Sequence, residues 1–244
     1  MSPMLVLVSL AAAFAGPAEA LGPSSAFHPR GPTEPVPAPV VDGRPVDRGS
    51  WEDAVGIVIF DYYVGCTGTL IGPRVVLTAG HCVNGYPVTA VVIGSTDWTT
   101  NQGEVIEVSE VHEYQNSQGS YDIGLLILAE KSSYAPRAIG LDCILKDYLK
   151  DGEEVRMVGY GVSDADGNDG NTKLNEGVTT IQDRDCDEST IDGRVVGCQR
   201  SVSPGGELAG GGDGGSSVCY GDSGGPLYLE TERGTFVVGV ASRL

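Results

Sequence analysis

A long succession of short, β-branched runs broken by turn signals constrains this chain more than any other feature. Gly56–Phe60, Arg74–Thr78, Val88–Ile93, Glu104–Val108, Ile123–Leu128, Val155–Val158, Gly177–Ile181, Leu227–Leu229 and Thr235–Val240 all read as strands. Only Ile144–Leu149 offers a helical turn or two. Asn84-Gly85 and Asp192-Gly193 are dipeptides that favour hairpins. The 36 glycines and 14 prolines supply the turns that so many short strands need. Strands without intervening amphipathic helices predict an all-β sandwich or pair of barrels, and they exclude a doubly wound parallel sheet.

The stretch before Val40 has a different character. Leu5–Leu10 runs into Ala11–Ala15, and Ala18-Glu19-Ala20 has the small-x-small form of a cleavage site, so residues 1–20 read as a signal peptide. The run is too short to span a bilayer, and no membrane span is expected. Residues 21–39 hold six prolines, which makes them an extended linker or a pro-segment. Export implies a secreted, extracellular protein, or a periplasmic one in a bacterium, and it permits disulfides among the six cysteines. The formal net charge is −18, from 33 acidic against 15 basic residues. That balance excludes a nucleic-acid-binding surface, which needs clustered cations, and it favours cationic partners.

Two loops could be over-read. Asp164–Gly170 resembles a calcium loop only faintly, because its glycine is misplaced and Asn175 stands where a bidentate glutamate belongs. It is expected to be a solvated turn, with no metal site. Pro204–Gly215, with seven glycines, reads as a flexible insertion.

Chemistry concentrates in Cys219-Tyr220-Gly221-Asp222-Ser223-Gly224-Gly225-Pro226, a serine in a glycine-rich turn that a substrate's backbone can approach closely. The histidines are His28, His81 and His112, and none follows Ser223. The α/β-hydrolase order of serine, acid, histidine is therefore excluded. His28 lies among the prolines, and His112 sits in the acidic stretch Glu110–Glu113, where a surface role is expected. His81 ends a buried-looking strand beside Cys82. Asp122 opens the apolar run Ile123–Leu128, where a carboxylate needs hydrogen bonds to be buried. Orienting an imidazole and capping a strand both meet that need. Asp222 also needs a partner.

Thr78-Ala79-Gly80-His81-Cys82, then Asp122-Ile123-Gly124-Leu125-Leu126, then Gly221-Asp222-Ser223-Gly224-Gly225-Pro226 resemble, in that order, the trypsin/chymotrypsin family of serine proteases. The resemblance runs from Val40 to the end. It implies two six-stranded antiparallel Greek-key barrels, split near residues 140–150, with the active site between them. It also implies a catalytic triad of Ser223 as nucleophile, His81 as general base and Asp122 as its orienting acid. Gly221 and Ser223 would supply the oxyanion-hole N–H groups. Asp222 would pair with a new N-terminus at Val40, freed by cleavage after Pro39. Ser217 would floor the specificity pocket and Ser242 would contribute to its wall. An uncharged floor there favours apolar or aromatic side chains over Arg and Lys.

The resemblance further implies the disulfides Cys66–Cys82 and Cys186–Cys198, the first worth roughly 3 kcal/mol by loop closure. In the family, chain continues well past the position of Ser242. The second barrel is thus expected to be incomplete at the C-terminus, with an exposed edge and no partner for Cys219; Cys143 has no evident partner either. The function so implied is a secreted serine endopeptidase, expected to be monomeric. It would act on polypeptide substrates, be open to protein inhibitors and need no cofactor. A truncated, non-catalytic homologue used as a binding module is the alternative, and poor activity of the chain as it stands is the expectation.

Overall fold

A computed structural model describes residues 7–9, 40, 43–114, 121–162, 170–186, 190–191, 194–195, 206–211 and 216–243. The proline-rich stretch before Val40, most of the acidic loop at 164–170, and Cys198 lie outside them. In chain order the strands are β1 (Leu7–Ser9), β2 (Arg44–Pro45), β3 (Ala54–Ile59), β4 (Tyr63–Gly72), β5 (Val75–Thr78), β6 (Val88–Ile93), β7 (Glu104–Glu113) and β8 (Gly124–Leu128). After the short helix α1 (Cys143–Tyr148) come β9 (Glu154–Gly159), β10 (Asn175–Asp183), β11 (Thr190–Ile191), β12 (Arg194–Val195), β13 (Glu207–Gly211), β14 (Pro226–Thr231) and β15 (Gly234–Arg243).

Strands β3, β4, β5, β8, β7 and β6 close into an antiparallel barrel. Its interior follows from the two-residue period of a strand: Val55 and Ile57 on β3, Leu70 on β4, Val91 and Ile93 on β6 and Leu126 on β8 are all fully buried. Each such side chain contributes about 1.5–3 kcal/mol relative to exposure. The sequence underrates β4, because Gly65 and Gly68 interrupt its pattern. Gly68 is needed there: a Cβ would stand 2.8 Å from Val76 Cγ1 and 2.9 Å from the Leu77 carbonyl.

The second half is built on a seven-stranded sheet, ordered β13-β1-β15-β14-β9-β10-β2, and β13 also pairs with β10, bringing the run round into a ring; β11 and β12 form a small sheet of their own. Its core gathers Ile144, Val155, Met157, Ile181, Leu208, Leu227 and Val238. Two expectations change here. The edge of β15 that the sequence left open is paired in parallel with β1, which lies in parallel with β13 on its other side. The unpaired backbone groups of two strand edges are thereby satisfied. Nor is Pro204–Gly215 simply a flexible insertion, since β13 lies inside it and pairs with β10. Burial of Leu208 and Ala209, together with an Arg243–Glu207 ion pair at 2.7 Å, overrides the poor strand propensity of its glycines. Asn84-Gly85 leads into β6 rather than joining two paired strands; Asp192-Gly193 lies outside the described residues, between β11 and β12, which pair with each other.

A polar network joins the halves. Asp53, at the start of the first barrel, takes both arms of Arg137 at 3.0 and 2.6 Å and the hydroxyl of Tyr228 on β14 at 2.6 Å. Tyr228 stacks on Trp51 with ring centroids 4.5 Å apart, and the Trp51 indole N–H donates to Glu176 on β10 at 2.6 Å. A buried carboxylate needs such full pairing.

Candidate active site

Strand β5 ends at Thr78, and the chain turns through a single 3-10 turn, Gly80–Cys82, that carries His81. The turn is tied to β4 by the Cys66–Cys82 disulfide. Asp122 lies just before β8, which pairs with β5, so the two residues meet at the same end of the barrel. Its carboxylate grips the histidine twice: Oδ1 accepts the His81 backbone N–H at 2.7 Å, and Oδ2 stands 2.6 Å from ring Nδ1. A third donor comes from the other half, the Ser242 hydroxyl on β15, at 2.7 Å from Oδ2. Burial pushes the Asp122 pKa up, but the His81 ring and backbone and the Ser242 hydroxyl together hold it below the usual carboxylate value. An ionised Asp122 fixes the ring with Nδ1 as donor and leaves Nε2 as acceptor. The side chains are 41% exposed for His81 and 8% for Asp122, so the ring opens to solvent while its anchor does not.

Ser223 comes from the second half but is held by the first. Its carbonyl accepts the Thr67 N–H at 2.8 Å, and the Thr67 hydroxyl donates to the Gly221 carbonyl at 2.8 Å. The same hydroxyl accepts the Tyr160 N–H at 3.0 Å, and the Thr67 carbonyl accepts from Thr78 Oγ1 at 2.8 Å. Gly224 adopts φ +82° against this strand, where a Cβ would lie 2.0 Å from Thr78 Oγ1; only glycine fits. Cys82 Sγ sits 3.5 Å from the Ser223 carbonyl and 3.8 Å from His81 Nε2, so serine and histidine are neighbours across the disulfide. Among the described residues there is no hydrogen bond from Ser223 Oγ to His81. Such bonds are often long without substrate and close in the complex.

The family model for trypsin matches residues 40–243. The chain belongs to the trypsin family. Among curated relatives, chymotrypsin-like elastase family member 1 of Canis lupus familiaris is 32% identical over 226 residues, covering 86% of this chain and 84% of the relative. The Homo sapiens protein of that name is 30% identical over 218 residues, covering 84% and 81%. A solved structure of neuropsin, a serine protease expressed in the limbic system of mouse brain, superposes with a TM-score of 0.60 at 25% identity, covering 77% of this chain and 81% of that one.

The trypsin-family motifs thus come together as follows. His81, Asp122 and the Ser223 loop meet at one place. His112 is on the surface, 3.0 Å from Glu110. Ser223 and Ser242 line a cavity of about 260 Å³ with Val218, Cys219, Tyr220, Ala241 and Arg243; Ser217 lies outside that lining, its hydroxyl 3.4 Å from the Val218 carbonyl. Cys186 is in a disulfide, while Cys198 falls outside the described residues. Cys66, His81 and Cys82 cluster tightly enough for a metal, but both sulfurs are spent on the disulfide.

Asp222 is wholly enclosed. It accepts from the N–H of Gly161 at 2.8 Å and of Cys219 at 2.8 Å, and burial, only partly opposed by these bonds, pushes its pKa up to about 7. Val40 is fully buried in the second core, where its Cγ1 is 2.6 Å from the place a Cβ on Gly177 would take. The sequence placed Ser242 only in the pocket wall and missed its bond to Asp122. It also missed Thr67, whose role depends on a contact 154 residues away in the chain.

Proposed function

We propose that the chain is a secreted serine endopeptidase that cuts polypeptides through a Ser223 acyl-enzyme. One observation carries the reading: a buried Asp122 with three donors holds the His81 ring in the tautomer a general base needs. Ser223 Oγ attacks the scissile carbonyl as its proton passes to His81 Nε2, and the imidazolium is stabilised by Asp122. The N–H groups of Gly221 and Ser223 receive the developing oxyanion, each such donor worth about 10²–10³ in turnover. His81 then protonates the leaving amine, and water repeats the sequence to release the acid. Among its described lining the cavity beside Ser223 is uncharged apart from Arg243, whose guanidinium faces Glu207, and so suits an apolar side chain. Cleavage before Val40 would free an amine for Asp222. Secretion is supported by the apolar leader pattern and by the Cys66–Cys82 disulfide; removal of that leader would take β1 with it and reopen the edges of β13 and β15. Ser223→Ala should abolish labelling by a sulfonyl fluoride that the wild-type chain takes up; undiminished labelling of the variant refutes the assignment.

A further inference from the structure

One patch on the outer face of the first barrel is apolar, with Val64 and Val92 buried at its centre and Val105 on its open rim. Val64 on β4, Val58 on β3, Ala90 and Val92 on β6 and Val105 on β7 line one cavity of about 460 Å³. They are neighbours by register: Val58 faces Val64 and Ala90, and Val92 faces Val105. Antiparallel sheets with one solvated face normally alternate apolar-in with polar-out. Here Val105 is 70% exposed.

The β3–β4 turn adds aromatics. Phe60 and Asp61 both hold positive φ, 55° and 68°, in a turn that would suit Asn-Gly. An aromatic residue in that conformation is strained, and strain of this kind clusters at sites of function. The turn presents Tyr62 at 76% exposure, with Tyr63 and Trp98 also lining the cavity. The only charged residues among the described lining are Asp61 and Glu107, both carboxylates. Along β4, Tyr63 lies three residues from Cys66, about 10 Å at the usual rise, and Cys66 is bonded to Cys82 beside His81.

We propose that this groove docks a segment of the polypeptide substrate, apolar and carrying one Lys or Arg, at a distance from the bond that is cut. This rests on the endopeptidase reading. The aliphatic part of the segment covers Val105 and the apolar rim beside it, and its cation meets Asp61 and Glu107 and the faces of the tyrosines. A second copy of the chain is a poor occupant, because two surfaces of a chain with net charge −18 would bring carboxylates against carboxylates.

The test uses the full chain and Trp98 emission, with Trp98→Phe as the control that removes the signal. The probe is a blocked decapeptide of leucine and proline with one lysine, compared with the same peptide carrying glutamate instead. The lysine peptide should shift the emission and bind at least about tenfold more tightly than the glutamate peptide. Glu107→Lys should reverse that preference, and Val105→Asp should abolish binding of both. In turnover, joining the lysine decapeptide to a short cleavable peptide should lower KM in the wild type but not in Glu107→Lys, with kcat/KM on the short peptide alone equal in both. Equal binding of the two probes, no binding, or a dimer whose dissociation frees the groove overturns the proposal. Absence of all turnover by the wild type would fault the protease reading, while the emission titration still decides the groove.

Discussion

Replacing Asp222 with asparagine isolates the energetics of a carboxylate enclosed with no cation beside it among the described residues. In the unfolded chain the group titrates near 3.8, and in the folded chain burial pushes it up to about 7. Between these values the folded state keeps a proton that the unfolded state has lost, so stability falls as pH rises. Its contribution is complete below 3.8 and lost once pH passes about 7. At about 1.4 kcal/mol per pH unit, the loss totals about 4 kcal/mol across that window. Asp222→Asn gives up one of the two accepted bonds, from Gly161 or Cys219, a cost of about 1–3 kcal/mol that does not vary with pH. Urea unfolding of the uncleaved chain at steps from about pH 4 to about pH 8 should therefore show the wild type losing about 4 kcal/mol relative to the variant. In a chain that starts at Val40 the free amine would hold Asp222 ionised. The relative slope should then vanish, and the substitution should cost roughly 3–5 kcal/mol above neutral pH. Parallel curves for the uncleaved wild type and variant would refute the premise that Asp222 is protonated in its enclosure.

Ser242→Ala removes one of three donors to Asp122, a bond to a charged group worth about 1.5–3 kcal/mol. Peptidase kcat/KM should fall by about ten- to a hundredfold with KM nearly unchanged, and urea unfolding should come about 1.5–3 kcal/mol earlier. Tyr228→Phe keeps the stack on Trp51 but deprives Asp53 of a donor, so unfolding should come about 1–3 kcal/mol earlier. Asp53→Ala strands the Arg137 guanidinium and should cost about 3–5 kcal/mol, measured the same way.

Much of the fold was legible because its strands obey a two-residue period. Val88–Ile93 was read from the sequence to the residue, and the short helix lies within one residue of its expected place. Where glycine breaks the period, the reading failed: β4 and β13 are strands held by close backbone approach and by burial, which no local pattern reports. The site was legible in part. His81, Asp122 and Ser223 stand in motifs whose order is informative. Thr67 and Ser242 are ordinary residues in sequence, and what they do exists only once the two halves meet. The parallel placement of Leu7–Ser9 beside β15 had no local signal either.

The clamp at Thr67 has a consequence for how such a chain can be altered. Its N–H, carbonyl and hydroxyl are all committed, two of them to the loop that carries Ser223 and one to the strand that leads to His81. The position of the serine is thereby read off the first barrel, although the serine belongs to the second half. Grafting either half from a relative would preserve each core yet leave the serine loop set by a foreign ruler. Exchange would succeed only if β4 and the serine loop travelled together, which makes them, rather than either barrel, the smallest portable unit of this site.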